Sequence, residues 1–205
     1  MIIMLSMVGP ALLIPLYVQN ALGLSALLSG LVIMPGAIIN GIMSVFTGKF
    51  YDKYGPRPLI FTGFILLISC TFLLCFLKVD TSYTYLIVIY AIRMFAVSLL
   101  MMPINTTGIN ALKTEDISHG TAIMNFGRVM AGSLGTALMV TFMSIGAQWV
   151  VSSSEHASKE MIQRQSVAVG VDVSFALVTV FVIIAFVLAL FIKEPNHLTH
   201  NSRKV

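Results

Sequence analysis

Long apolar runs, separated by short polar segments, recur along the chain. Each run holds about 20 mostly apolar residues, the length that an α-helix needs to cross the hydrocarbon core of a bilayer. The runs are continuous rather than alternating, which argues against the strands of a membrane β-barrel. Because backbone groups in lipid must be hydrogen-bonded within their own segment, we expect helices. The six predicted spans cover residues 2–19, 27–47, 59–77, 83–106, 120–147 and 173–192.

The composition supports a membrane protein. Hydrophobic residues make up 58% of the chain and charged residues only 10%, whereas a soluble domain carries about 25% charged residues. The sequence therefore predicts an all-α membrane protein with one transmembrane domain over residues 1–192 and a tail over 193–205. Met1 leads directly into apolar sequence without the basic region of a signal peptide. We expect an internal start within a longer protein, or a truncated reading frame.

The basic residues indicate how the spans are oriented. Cytoplasmic loops of membrane proteins carry an excess of Lys and Arg. Placing segments 48–58, 107–119 and 193–205 inside puts seven basic residues in the cytoplasm and leaves three outside. The inside residues are Lys49, Lys53, Arg57, Lys113, Lys193, Arg203 and Lys204, and the outside residues are Lys78, Lys159 and Arg164. Both termini are therefore predicted to be cytoplasmic. The net charge of +4 reflects this bias and gives no reason to expect nucleic-acid binding.

The loop between the second and third spans concentrates charge and turn-forming residues. Gly48 and Gly55 have no Cβ and permit a tight reversal. Pro56 and Pro58 suit the first turn of the next helix, where a missing N–H costs nothing. Asp52 could accept hydrogen bonds near the start of that helix. The segment could also be an ordinary positive-inside loop.

Polar side chains inside the spans are candidate functional residues. An ionisable side chain at the bilayer centre costs at least ~2.5–3.5 kcal/mol, yet Arg93 and Arg128 lie within predicted spans. Counted from the span ends, both should lie at similar depth, on the cytoplasmic side of the midplane. They could line a cavity or gate, or they could be structural arginines that extend along their own helices towards the interface. Asn40 and Asn125 are further polar candidates.

No acid lies at the centre of a predicted span. All eight occur in loops, tails or span edges: Asp52, Asp80, Glu115, Asp116, Glu155, Glu160, Asp172 and Glu194. A proton-coupled exporter needs a group that gains and loses a proton inside the membrane. If the chain belongs to one, that group must come from another part of the molecule.

No metal site, cofactor or enzymatic activity is predicted. His197 and His200 lie in a polar tail without further ligands. Cys70 and Cys75 are five positions apart on one helix and read as membrane-buried small hydrophobes. The segment 131–135 is one residue away from a nucleophile elbow, but no histidine or acid lies at its depth.

The fifth span carries a strip of small residues, which lets helix backbones approach closely. The strip consists of Gly127, Ala131, Gly132 and Gly135. It could serve ordinary packing or a moving interface. The third and sixth spans lack such features, so we expect them to face lipid, with Leu66 and Val182 far from the polar interior. This contrast predicts a three-plus-three arrangement.

Two segments resemble a known family. The pattern Gly-x-x-x-Asp-Lys-x-Gly-x-Arg resembles the signature loop of major facilitator superfamily transporters, with Pro58 as a small departure. The matching residues are Gly48, Asp52, Lys53, Gly55 and Arg57. Residues 120–137, with Asn125-x-x-Arg128 before a Gly-x-x-Gly-Thr-Ala segment, resemble the penultimate helix of the fourteen-span drug/proton antiporters of the EmrB/QacA group.

The resemblance implies that the chain is the C-terminal six-helix half of a multidrug efflux transporter. It would export lipophilic, including cationic, compounds by alternating access from a bacterial plasma membrane. The missing N-terminal half would be its partner and would supply proton coupling, and membrane lipids would surround both. The signature loop would belong to a cytoplasmic gate, and the small-residue strip would help helices rock. A fragment of a metabolite transporter and a truncated membrane protein that does not transport are the alternatives.

Overall fold

A computed structural model describes residues 2–110, 112–153 and 159–190. These residues form six α-helices and two short 3₁₀ turns, with no strand among them, which confirms the predicted all-α fold. The helices are α1 (Ile2–Asn20), α2 (Ala26–Tyr54), α3 (Pro56–Leu73), α4 (Tyr83–Asn110), α5 (Ile117–Ser153) and α6 (Lys159–Leu190). Five are long and apolar enough to cross a membrane, and the apolar helix in α1, Met4–Asn20, is shorter.

Several helices continue past the ends of the apolar runs. Residues 148–153 and 159–172, expected in an outside loop, extend α5 and α6. Hydropathy measures the apolar length of a segment, and a helix continues through polar residues wherever water can solvate them. The end of the sixth predicted span and the predicted tail, residues 191–205, lie outside the described residues.

The reversal between α2 and α3 depends on a single glycine. Gly55 has φ 77°, in the left-handed region that favours glycine, and its N–H donates to the carbonyl of Tyr51 at 2.9 Å. Pro56 then begins α3, as the sequence predicted. Gly48 does not contribute to the turn, because α2 continues through it to Tyr54. The expectation that both glycines form the reversal was therefore wrong.

The packing relates the two triplets of helices. In the first triplet α1 packs on α5 and α6, and in the second α4 packs on α2 and α3. The first helix of each triplet thus contacts the second and third helices of the other triplet. This reciprocal pattern fits the predicted three-plus-three arrangement.

The third helices are not purely lipid-facing. α3 and α6 pack against each other, with the ring of Phe186 on α6 against those of Phe61 and Phe64 on α3. Both helices carry side chains that are almost completely buried, including Leu67 and Val182. Val182, expected to face lipid, is only 1% exposed. Apolar side chains suit both lipid and protein contacts, so the absence of polar residues could not distinguish them. Each helix does keep an exposed apolar face, at Ile65 on α3 and Leu188 on α6.

Glycines allow two close helix crossings. A methyl group on Gly135 of the small-residue strip would lie 2.9 Å from the Cα of Leu5, so the strip lies directly against α1. A second crossing, between α5 and α6, was not predicted. There a methyl group on Gly146 would lie 2.9 Å from the Cα of Gly170. Both contacts bring backbones together in the manner of small-residue interfaces in membranes.

Candidate functional site

Asn40 links α2 to α4, which pack against each other. Its side-chain Nδ2 donates to the backbone carbonyl of Met94 on α4 at 3.1 Å. Gly36, one turn earlier on α2, makes the approach possible, since a Cβ there would lie 2.8 Å from the ring of Tyr90. Asn40 therefore contributes a polar tie between α2 and α4 and does not face the cavity described below.

Arg93 lies in the interior of the bundle. Its side chain is 0% exposed, and Nη2 donates to the backbone carbonyl of Ser6 on α1. In a regular helix the N–H four residues later would bond that carbonyl, but position 10 is Pro10, which has no N–H. Arg93 supplies a donor where the proline removes one. The Nε and Nη1 atoms of Arg93 have no hydrogen-bond partner among the described residues.

This burial decides between the interpretations of Arg93. A side chain with no exposed surface does not extend to the membrane interface, so the snorkelling alternative is wrong for this residue. Arg93 also does not line the cavity described below. It links α1 to α4, the first helices of the two triplets.

Arg128 lies in a different environment. It is half-buried, and its Nη2 donates to the side-chain carbonyl of Asn105 on α4 at 3.0 Å. The pair forms part of the wall of a cavity of about 120 Å³ between α1, α4 and α5. The cavity is lined by Met4, Leu100, Met101, Ile104, Asn105, Met124 and Arg128. Arg128 is thus a cationic group at the edge of a mostly apolar cavity.

The two arginines lie at different depths. Asn105, the partner of Arg128, follows Arg93 by 12 residues on the same helix, which corresponds to about 18 Å. An arginine side chain is too short to span that distance, so the expectation of similar depth was wrong. Arg93 lies 13 residues before the end of its predicted span and Arg128 lies 8 residues after the start of its own, and the prediction treated these two counts as one depth.

Asn125 does not join the cavity. It is exposed on α5, one residue after Met124, which does line the cavity. Met124 and Arg128 are four residues apart and share one face of the helix, whereas Asn125 is turned by about 100° from Met124. Of the Asn-x-x-Arg pair, only the arginine reaches the cavity.

The charged signature-loop residues lie exposed at the α2–α3 turn. Asp52, Lys53 and Arg57 are all exposed, and the ammonium group of Lys53 lies 5.2 Å from the ring centroid of Tyr54. The N-cap of α3 is Gly55, which has no side chain to cap the helix. Asp52 stays on the last turn of α2.

Asp172 occupies a position that the sequence did not indicate. It was assigned to the edge of a loop, but it lies 13 residues inside α6 and is half-buried. Its Oδ1 accepts a hydrogen bond from the backbone N–H of Leu77 at 3.0 Å. The buried apolar residues of this part of α6 recur at alternating spacings of three and four, as on one face of a helix, but apolar residues such as Val169 and Val173 lie between them and hide that spacing in the sequence. These buried residues are Ala168, Val171, Phe175, Val178, Val182 and Ala185.

Comparison with known proteins places these features in a family context. The model of the Major Facilitator Superfamily matches residues 1–136. Lincomycin resistance protein LmrB of Listeria monocytogenes is 37% identical over 185 residues, which is 90% of this chain and 39% of that protein. The uncharacterized MFS-type transporter YhcA of Bacillus subtilis is 47% identical over 129 residues, 63% of this chain and 24% of its own.

A more distant relative carries a broader name. Multidrug export protein EmrB of Escherichia coli is 29% identical over 134 residues, covering 65% of this chain and 26% of that protein. The chain thus spans 39% of the length of the LmrB relative and a smaller share of the others. The residues of the cavity and the α2–α3 turn, from Met4 to Arg128, all fall within the family match.

Proposed function

Because this chain belongs to the major facilitator superfamily, we propose that it forms one six-helix half of a multidrug efflux transporter. The half would export lipophilic compounds by alternating access. The relatives named for lincomycin resistance and multidrug export confirm the predicted resemblance to drug-export members of this superfamily. Alternating access rocks two bundles about a central site, so the second bundle comes from the rest of the transporter. We propose no enzymatic role.

The cavity between α1, α4 and α5 is the observation that carries this proposal. Met4, Met101 and Met124 contribute flexible thioether side chains to its wall. Such side chains repack around ligands of different shape, which suits a transporter with several substrates. The volume of about 120 Å³ is smaller than the roughly 300–1,000 Å³ of a drug-sized site. The opposing bundle would complete the site.

The charge on the cavity wall suggests which compounds suit it. Arg128 is the ionisable residue of the lining, and a guanidinium donates hydrogen bonds but accepts none. Its partner Asn105 is neutral and can be displaced without leaving a buried carboxylate unpaired. Neutral or acidic lipophilic molecules with acceptor oxygens therefore fit this wall better than the cationic compounds that the sequence also suggested.

Arg128 is not a proton carrier in this scheme. A guanidinium stays protonated at physiological pH, so it cannot pick up and release a proton during transport. We propose that the carrier acid lies in the other half of the transporter. The protein would lie in a bacterial plasma membrane, with the α2–α3 turn and both termini in the cytoplasm.

Efflux assays with substituted transporters test this proposal. The gene would be expressed at its natural length in host cells that lack their own copy of this transporter gene. The cells would be loaded with either a neutral or a cationic lipophilic dye. We expect Arg128→Gln to reduce efflux of the neutral dye about tenfold, which corresponds to about 1.4 kcal/mol. Asn125→Ala, on the exposed side of the same helix, is the matched control and should stay within about twofold of wild type.

Two results would contradict the proposal. One is unchanged neutral-dye efflux in Arg128→Gln at equal membrane abundance. The other is the absence of any dye export or drug resistance conferred by the wild-type gene, which would favour a metabolite carrier or a protein that does not transport.

A further inference from the structure

The clearest feature that the proposed function does not use is the carboxylate of Asp172. It lies about 20 Å along α6 from Lys159, counted at 1.5 Å per residue. It contacts the segment that joins α3 to α4, residues 77–82, which we call the α3–α4 turn. We propose that Asp172 is a proton-binding site that controls how firmly α6 holds the α3–α4 turn.

The hydrogen bonds around the turn support this assignment. Leu77 donates its backbone N–H to Asp172 on α6 at 3.0 Å. The next residue, Lys78, accepts a hydrogen bond through its backbone carbonyl from the Tyr17 hydroxyl on α1, at 2.6 Å. Lys78 also donates its own N–H to the Thr81 hydroxyl at 2.7 Å. Two successive residues of the turn are thus tied to two different helices, and of these two ties only the one to α6 has an ionisable acceptor.

The surroundings of Asp172 contain few groups that could neutralise it. The titratable neighbours of Asp172 include Tyr17 on α1 and Cys75, just after α3. The sulfur of Cys75 lies 3.6 Å from the hydroxyl of Thr179 on α6. The turn itself carries Lys78 and Asp80, both exposed. Among the described residues, none of these forms an ion pair with the Asp172 carboxylate.

From α5, the contacts seen with this part of α6 come from uncharged groups, including the Met139 carbonyl, which accepts a hydrogen bond from the Ser174 hydroxyl at 2.9 Å. Gly146 and Met143 pack closely against Gly170, two residues before Asp172. Within the described part of the chain, the Asp172 carboxylate has one hydrogen bond, from a backbone N–H, and no ion pair, and such a half-buried charge is costly in a membrane helix. Binding a proton removes that charge at the site.

Protonation would also weaken the tie. A hydrogen bond to an ionised acceptor is roughly twice as strong as one between neutral groups. The ionised form of Asp172 therefore holds the N–H of Leu77 more strongly than the protonated form. The Tyr17 tie on α1 does not change with this proton. Protonation would therefore loosen the turn from α6 while leaving it attached to α1.

A distance measurement by electron paramagnetic resonance tests the inference. Spin labels would be attached at Ser82 on the turn and Gln165 on α6, both exposed, with Cys70 and Cys75 changed to Ser. The gene is expressed at its natural length in membrane vesicles. On lowering the pH from about 8 to about 5, we expect one single-proton transition that lengthens the distance by about 2 Å, the scale of helix shifts.

Three variants make the result specific. Asp172→Asn mimics the protonated acid and should show the low-pH distance at every pH. Asp172→Glu should keep a transition with a changed midpoint, and Asp80→Asn, on the same turn, should behave as wild type. A wild-type distance independent of pH, or an unchanged response in Asp172→Asn, would overturn the inference.

If Asp172→Asn fails to fold, Asp172→Glu decides. A displaced midpoint in that variant supports the assignment, and an identical midpoint rejects it. The readout does not involve transport, so its outcome is independent of whether efflux is the function.

Discussion

Arg93 and Arg128 are the same residue type in two neighbouring apolar helices, and the bundle uses them differently. Arg93 is fully buried and donates to a backbone carbonyl on α1, next to the position where Pro10 cannot donate. Arg128 is half-buried beside a cavity and donates to the side chain of Asn105. The first partner is fixed in the backbone, whereas the second is a side chain that can rotate away.

The difference separates a packing role from a binding role. A guanidinium that bonds a main-chain carbonyl in a closed interior has no access to a ligand. A guanidinium on a cavity wall, held by one neutral amide, can exchange that amide for an acceptor on a substrate. An intramembrane arginine is therefore a functional candidate only after its surroundings are known, which refines the default interpretation of such residues.

The largest expected effect comes from removing Arg93. Arg93→Ala leaves a cavity in the core and removes a donor from the Ser6 carbonyl, so we expect a loss of about 2–5 kcal/mol. Restoring an N–H with Pro10→Ala should recover part of this loss, because α1 can then bond its own carbonyl. Unfolding titrations of the two single variants and the double variant measure the coupling. Additive effects would show that Pro10 and Arg93 act independently.

A smaller effect on stability is expected at the close crossing of α1 and α5. Gly135→Val places side-chain atoms against the backbone of Leu5, and such overpacking costs about 1–3 kcal/mol. Ser133→Val on the exposed face of the same helix is the control and should change stability little. The same unfolding titration applies. Equal stability of the two variants would mean that α1 and α5 are not held at the close distance seen here.

The smallest effect on stability is expected at Arg128. Its pair with Asn105 is half-buried, so Arg128→Gln should lower the free energy of unfolding by about 1 kcal/mol or less. A loss as large as that of Arg93→Ala would erase the distinction between the two arginines and reassign Arg128 to packing. Thermal unfolding in detergent, measured beside the efflux assay, separates the two outcomes.

The sequence predicted the parts of the fold that depend on apolar length. Each of the first five predicted spans lies largely on one α-helix, because about 20 apolar residues in a row permit little else in a bilayer. Pro56 marked the start of α3 for an equally local reason. By contrast, Gly48 and Gly55 are the same residue type, and only the backbone conformation shows at which of them the chain reverses direction.

The site depended on relations that a single sequence does not contain. The depth of Arg93 relative to Arg128 depends on how α4 and α5 pack, and the burial of Val182 depends on the helices that pack against α6. The residues of the cavity come from three helices, and Met4 and Asn105 carry no motif. Asp172 was assigned to a loop edge because it directly precedes the long apolar run that begins at Val173, and the sequence does not show that α6 starts at Lys159.

The contact between Arg93 and the segment before Pro10 has a consequence for biogenesis. During synthesis α1 reaches the membrane before α4, so its Ser6 carbonyl does not yet have the hydrogen bond that Arg93 on α4 later donates. When α4 follows, its arginine must enter the bilayer at a cost of at least ~2.5–3.5 kcal/mol. Each helix is thus a poor membrane segment alone, and their meeting corrects both defects. Stable insertion of α4 should therefore depend on α1 still being nearby, among the helices not yet released into lipid.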